Sequence, residues 1–348
     1  MPGPPPVVTV FSSIPAIAEA LSSCEGLALD VVEDGALTGY GGTVEFDPRN
    51  LSPATFKALE RAVVLVSEPA VVASLLGHEP QCLRNLRWCQ STYAGVDPLF
   101  APGIAHLEKP WILTRFAGVF GPPIAEWCLA RIIGHERSFA ASALDQRRRE
   151  WAGSREAVGH YRYLSSLTLS VLGCGDIGRC IARAASALGM RTVGFGRIPR
   201  AQGDLEGVEK YTLDLGEALR AGDYVVSVLP STPETRGLLG GSALAAAAGA
   251  SGGKSPVLLN VGRGDVIDEE SLLSALESGY ISAAILDVFE KEPLPRDSPL
   301  WNTPGVVVSP HVSGLTQASD VPGVLLANYQ RYVEGNDLLY VVDWDKGY

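Results

Sequence analysis

The sequence predicts an α/β protein built on doubly wound parallel sheets. Three observations carry that class. Short apolar runs rich in β-branched residues recur along the chain, stretches of helical length separate them, and one run leads straight into a Gly-x-Gly-x-x-Gly turn. Strands covered by helices on both faces read as nearly continuous apolar runs, the pattern of parallel sheets.

In order, the strand runs are PPVVTVFS (5–12), AVVLVSE (62–68), LRWCQST (86–92), TLSVLG (168–173), DYVVSVLP (223–230), PVLLNVG (256–262) and ISAAILDVF (281–289). Between the third and fourth, Pro122 and Pro123 open a stretch with no further breaker as far as Glu150. Proline suits the first helical turn, so the pattern predicts one helix over 124–149, about 40 Å long at 1.5 Å per residue and able to cross between domains. Its basic end, Arg147 to Arg149, fits cations at a helix C-terminus. ALAAAAGASGGK (243–254) reads as a small helix followed by a surface loop, with AAAAGASGGKSP as a surface insertion.

A chain of 348 residues suggests two domains. With 46% hydrophobic and 19% charged residues it is globular rather than disordered. The net charge of −11 argues against a general affinity for nucleic acid or acidic membranes. Arginine nevertheless outnumbers lysine 22 to 6, and its planar fork suits carboxylates and phosphates. Six cysteines form no CxxC pair and have no nearby histidine at metal-ligand spacing, so reduced thiols and no metal are expected. No apolar run reaches about 18 residues and no basic residue precedes Arg49, which makes the cytoplasm the expected location, with neither a signal peptide nor a membrane span.

The glycine turn is VLGCGDIGRCIARAASALGM, with Gly173, Gly175 and Gly178. About half an occurrence of that string is expected by chance at this glycine content, so its context decides. It follows a buried-looking strand, opens a helix that runs toward Gly189, and is succeeded by a second strand, RTVGFG. That arrangement brings a pyrophosphate to a helix N-terminus, where free amides and the helix dipole favour negative charge. After the second strand, TVGFGRIPR carries Arg197 and Arg200 and no acid before Asp204. An acid would serve the ribose 2′-hydroxyl of NAD, whereas arginines suit the 2′-phosphate, so NADP(H) is expected, with NAD(H) the weaker alternative.

Along nearly the whole chain the motifs QSTYAGVD (90–97), LTRFAGVFGPPIAEW (113–127), the glycine turn, SVLPSTPETRGLL (227–239), LLNVGRGDVID (258–268), AAILDVFEKEPLP (283–295) and VVVSPHVSG (306–314) stand in sequence. They resemble the D-isomer-specific 2-hydroxyacid dehydrogenase family, and most of all its glyoxylate/hydroxypyruvate reductase, or 2-ketoacid reductase, branch. The resemblance implies a discontinuous flavodoxin-like substrate domain, residues 1–114 and 312–348, with a Rossmann cofactor domain, 115–311, inserted in it. It also implies an active site in the cleft with hinge closure, a homodimer to which the long helix contributes, and reduction of glyoxylate, hydroxypyruvate or pyruvate to a D-2-hydroxy acid.

Reduction of a 2-oxo acid needs a cation for the carboxylate, a proton donor for the oxygen that gains charge, and a group that keeps the donor protonated. By resemblance these are Arg263, His311 and Glu292, respectively. Arg263 would pair with the carboxylate and polarise the carbonyl, His311 would act as general acid, and Glu292 would hydrogen-bond its imidazole. His78, His106, His135 and His160 lack such a setting and read as structural. Tyr93, Ala94 and Gly95 resemble the family loop whose amides hold the substrate carboxylate. Asp176 and Ile177 open the helix at the pyrophosphate, Pro230 and Thr235 line the adenosine side, and Asp287 matches the position that holds the nicotinamide carboxamide. Trp151 resembles a residue of the dimer arm.

Three departures stand out. YLSSLTLSVLG replaces the usual polar LxGK-like element before the cofactor strand, glutamate rather than the glutamine of formate dehydrogenases stands at 292, and the tail after NYQRYVEG leaves no room for the regulatory domain of long phosphoglycerate dehydrogenases. A different class on the same fold, a dinucleotide-sensing corepressor, would retain the same three residues and would differ by lacking turnover.

Overall fold

The computed structural model describes residues 5–151, 155, 159–248, 255–345 and 347. By the density of its internal contacts the chain divides into two compact units, Met1–Val119 with Leu315–Tyr348, and Phe120–Gly314. These limits lie a few residues beyond the expected boundaries at 114/115 and 311/312.

In the first unit, β1 (Val8–Val10), β2 (Leu29–Val31), β5 (Val64–Ser67), β6 (Trp88–Ser91) and β7 (Ile112–Thr114) form a sheet of order β2-β1-β5-β6-β7, parallel throughout. Counting only these five strands, the order is 2-1-3-4-5, the flavodoxin-like winding. A small antiparallel pair, β3 (Leu37–Thr38) and β4 (Glu45–Phe46), stands apart from it. Strands β1, β5 and β6 are buried at every position, which is why their residues alternate little between apolar and polar. Helices α1 (Ile17–Ser22), α2 (Pro53–Arg61) and α3 (Pro69–His78) alternate with the strands, α2 and α3 each opening on a proline. Leu59, Leu65, Leu75, Leu86 and Leu113 pack together in the core. The tail rejoins this unit: Val342 donates its amide to the Leu113 carbonyl (2.8 Å), and Asn328 bonds both Gln90 and Leu339.

The second unit has seven parallel strands: β8 (Thr168–Leu172), β9 (Arg191–Phe195), β10 (Lys210–Thr212), β11 (Tyr224–Ser227), β12 (Val257–Asn260), β13 (Ala283–Leu286) and β14 (Val306–Val308). Their order, β10-β9-β8-β11-β12-β13-β14, is the Rossmann winding 3-2-1-4-5-6 with one strand added. Three of the four central strands, β11, β12 and β13, are fully buried apolar four-residue runs.

One expectation fails here. The single helix over 124–149 is two helices, α4 (Gly121–Glu136) and α5 (Phe139–Arg148), both within the second unit. The Pro122–Pro123 start holds, but Ser138 takes a left-handed conformation with φ 49° and breaks the run. Tertiary contacts supply the reason. Glu136 is bound by Arg162 (2.6 Å) and by the Tyr224 hydroxyl (2.6 Å), and Arg137 lies over the Tyr161 ring at 3.7 Å. Those anchors fix the end of α4 more strongly than local helix propensity extends it. Arg147 and Arg148 do occupy the last turn of α5. Of the 243–254 stretch, Ala243–Ala247 is a short 3₁₀ turn and 249–254, with the expected insertion, lie outside the described residues. No helix among the described residues is long and apolar enough to cross a membrane.

Candidate active site

All three residues assigned to chemistry belong to the second unit and follow the carboxyl ends of neighbouring strands β12, β13 and β14. Arg263 follows β12. Asn260 fixes that loop by donating to the Arg263 carbonyl (2.9 Å) and accepting from the Gly262 amide (3.2 Å). Gly264 then lets the loop press against the next one: a Cβ there would lie 1.8 Å from the Phe289 carbonyl carbon, so no side chain fits. The close approach sets the GRGD loop against the DVFEKEP loop that carries Glu292. Arg263 is half-buried and donates from Nη1 to the Gly262 carbonyl (2.8 Å).

Glu292 Oε1 accepts from the Phe289 amide (2.9 Å) and Oε2 lies 2.8 Å from His311 Nδ1. With Nδ1 engaged by a carboxylate, Nε2 is the nitrogen left for proton exchange. The pair is partly open to solvent, with 41% of the His311 side chain and 33% of Glu292 exposed.

His311 itself has φ 55°, a left-handed backbone that histidine adopts only when its surroundings enforce it. Asp287 does the enforcing. It is fully buried at the end of β13, its carbonyl accepts from the His311 amide (2.8 Å), and its carboxylate accepts from Ser309 Oγ (2.6 Å), Val312 N (3.0 Å) and Ser313 N (2.8 Å). This bracing of the histidine turn was not read from the sequence. A carboxylate has about four acceptor positions, so three bonds leave room for the carboxamide that resemblance assigns to Asp287.

The glycine turn fits a dinucleotide on its own geometry. Gly173 has φ 101°, and a Cβ on Gly178 would fall 1.9 Å from the Gly173 carbonyl oxygen, so this glycine seats helix α6 (Asp176–Ala187) against β8. Gly175, the residue before α6, would meet nothing within 4 Å, leaving open the face a pyrophosphate needs. Asp176 is exposed and Ile177 half-buried in the first turn. Arg179 in the same turn, not singled out from sequence, reaches the Gly175 and Asp204 carbonyls (3.3 and 3.1 Å).

Arg197 and Arg200 are both exposed after β9. Arg197 pairs with Glu234 (3.2 Å). Pro230 is exposed, whereas Thr235 is buried and donates its hydroxyl to the Pro230 carbonyl (2.5 Å), which fixes the turn between them. Trp151 is 94% exposed. His135 has the structural setting expected of it, edge-on to the Tyr224 ring at 6.0 Å.

Tyr93, Ala94 and Gly95 belong to the first unit, directly after β6, and are half-buried. Ser91 Oγ holds this turn by accepting from the Tyr93 amide (3.0 Å) and donating to its carbonyl (2.8 Å).

Paired imidazole and carboxylate, a nearby arginine loop and a dinucleotide turn define a nicotinamide-dependent oxidoreductase of carbonyl and hydroxyl groups. The family model for the NAD binding domain of D-isomer specific 2-hydroxyacid dehydrogenases matches residues 129–313. A glyoxylate/hydroxypyruvate reductase B from Escherichia fergusonii is 34% identical over 275 residues, 77% of this chain and 81% of that protein. Among solved structures, a D-isomer specific 2-hydroxyacid dehydrogenase family protein from Aeromonas salmonicida superposes with a TM-score of 0.80 at 30% identity, over 98% of this chain and all of that one. An NADPH-dependent glyoxylate/hydroxypyruvate reductase from Sinorhizobium meliloti, solved with NADP and sulfate, gives 0.76 at 28% identity, covering 99% of this chain and all of that one. The chain therefore belongs to the D-isomer specific 2-hydroxyacid dehydrogenases.

Proposed function

We propose that the protein reduces small 2-oxo acids of the glyoxylate, hydroxypyruvate and pyruvate type to D-2-hydroxy acids, with NADPH as the preferred cofactor and NADH a weaker one. The observation that carries this reading is the 2.8 Å contact between Glu292 Oε2 and His311 Nδ1 on a turn braced by Asp287.

When bound, the reduced nicotinamide supplies a hydride to the carbonyl carbon of the substrate. His311 Nε2–H gives its proton to the oxygen that gains charge, so the product hydroxyl carries one hydrogen from each source. Glu292 steadies the resulting change of charge on the imidazole and holds the ring in one tautomer. Arg263 pairs with the substrate carboxylate and stabilises the developing oxyanion, the task its planar fork suits. Asp287 keeps the His311 turn in place. The Gly173–Gly178 turn with Asp176 and Ile177 receives the pyrophosphate, Arg197 and Arg200 the 2′-phosphate, and Pro230 and Thr235 the adenosine side. Tyr93, Ala94 and Gly95 contact the substrate carboxylate. The NADP named with the Sinorhizobium meliloti structure supports the cofactor choice, as do the two arginines after β9.

Exposed Phe139, Leu144 and Trp151 support assembly as a homodimer, and the reduced-thiol composition supports a cytoplasmic setting. The decisive experiment is NADPH oxidation followed at 340 nm with a panel of 2-oxo acids. Turnover is expected; tight NADPH binding without turnover of any of them overturns the reading and favours a dinucleotide sensor.

A further inference from the structure

The carboxyl ends of β1, β5 and β6 in the first unit gather polar side chains that the mechanism above does not use. Five buried side-chain oxygens or nitrogens lack a hydrogen bond among the described residues, and four of them belong to Ser67, Glu68, Thr92 and Tyr93. Such atoms are rare in folded proteins, and their clustering at one place calls for an explanation. The two strand ends are direct neighbours: Ser67 is paired with Ser91, and the Thr92 amide donates to the Ser67 carbonyl (3.1 Å).

Glu68 is the central member. It is fully buried, and its Oε1 alone accepts from Ser12 Oγ (2.7 Å), Ser13 N (3.0 Å) and Ser13 Oγ (3.3 Å). Its Oε2 has no partner. The ordinary structural use of an acid just before a helix is to cap the helix amides, yet Glu68 precedes α3 and makes no such bond. Its donors are uncharged, and burial pushes the Glu68 carboxyl up against the lowering effect of Ser12 and Ser13. A carboxyl that keeps its proton there, with Oε1 already accepting three bonds, carries it on Oε2 and becomes a donor. Tyr93, whose hydroxyl is buried and unpartnered, lies close enough to Glu68 for the two to interact electrostatically.

Neighbouring groups are satisfied internally. The Tyr40 hydroxyl donates to the Thr316 carbonyl, and Thr316 Oγ1 donates to the Thr92 carbonyl (2.7 Å). Position matters too. The strand order β2-β1-β5-β6-β7 reverses between β1 and β5, and in open α/β sheets ligands bind outside the carboxyl ends at that reversal. Ser12 and Ser13 follow β1 and Glu68 follows β5.

We infer that Glu68 Oε2 and Tyr93 Oη form a subsite for a hydroxyl group on C3 of the substrate, so that C3-hydroxylated 2-oxo acids are the preferred class. This rests on the reductase reading and narrows it. A hydroxyl accepts from Glu68 and donates to Tyr93, satisfying both, whereas a methyl group leaves both buried and unpaired. Sites built to bond a hydroxyl reject analogues lacking it more strongly than apolar pockets reject a missing methylene.

The test compares kcat/KM for hydroxypyruvate and pyruvate with NADPH. In the unmodified protein the ratio is expected to exceed about tenfold. Glu68→Leu should lower that ratio by about tenfold or more, chiefly through KM for hydroxypyruvate. Glu68→Gln keeps an acceptor toward Ser12 and Ser13 and a donor at the other end, and should retain most of the preference. A ratio near one in the unmodified protein overturns the inference without any variant. So does a folded Glu68→Leu protein that loses both substrates equally, with folding checked by NADPH affinity and thermal unfolding. Should Glu68→Leu not fold, the unmodified ratio and Glu68→Gln decide, and loss of the preference in Glu68→Gln overturns the donor role. Failure to turn over any 2-oxo acid instead removes the reductase reading, and the subsite with it.

Discussion

Asp287 and His311 divide one task between them: the imidazole handles the proton, and the buried carboxylate holds the backbone in a shape histidine does not choose for itself. Their variants should differ accordingly. His311→Asn is expected to lose about a thousandfold in kcat while still binding NADPH, as measured by fluorescence titration. Asp287→Asn replaces an acceptor with a donor at buried amides, so kcat and Tm should fall together. Arg197→Ala combined with Arg200→Ala should raise KM for NADPH at least about tenfold more than KM for NADH, since charge-assisted bonds to the 2′-phosphate are lost. The exposed pair with Glu234 costs little to break, so Arg197 is readily released to a phosphate. His311, Glu292 and Arg263 were legible in the sequence because their neighbours form short fixed motifs. The bracing by Asp287 and the burial of Glu68 were not, because SEP before a helix reads as an ordinary cap and the LDVF aspartate shows no partner until β13 and the turn after β14 meet.

Elements were legible where one physical cause dominates. The central strands announced themselves through unbroken burial, but short edge strands such as β2 and β10, half-exposed and three residues long, gave no comparable pattern. Helix α4 stops where it does because of residues far away in sequence. Arg162 bridges Glu136 and Asp223 at 2.6 and 2.7 Å, and both acids are nearly buried. Arg162→Met should therefore destabilise the protein by about 3–5 kcal/mol in denaturant titrations, since two buried carboxylates lose their cation. In the first unit, Asp34 joins the loop before β3 to the start of α2. Burial pushes its carboxyl up, but bonds from Thr55, Ser52 and Ala36 outweigh this and hold it at about 2. A carboxyl lowered in the folded state contributes above its unfolded value and loses that contribution as pH falls from about 4 to about 2. Urea midpoints across that window should drop in the unmodified protein, by about 1 kcal/mol for this mainly solvated group, and less in Asp34→Asn.

At the level of the whole molecule, net charge and length were read directly, and the two windings followed from alternating strands and helices. Cysteine chemistry is a global property that burial decides. Cys82, Cys89, Cys128 and Cys174 are buried, and burial pushes the Cys82 and Cys89 thiols up to about 12 and Cys174 to about 11. Only Cys24 and Cys180 are partly open, so a thiol reagent near neutral pH should titrate at most two of the six before unfolding and all six after it. The contact between Gly264 and the Phe289 carbonyl has a longer reach than local packing. It keeps Arg263, Glu292 and His311 on adjoining loops of a single unit, while Glu68 and Tyr93 belong to the other. A lineage built this way can drift in what it reduces, one substitution at a time, without disturbing how the proton is delivered.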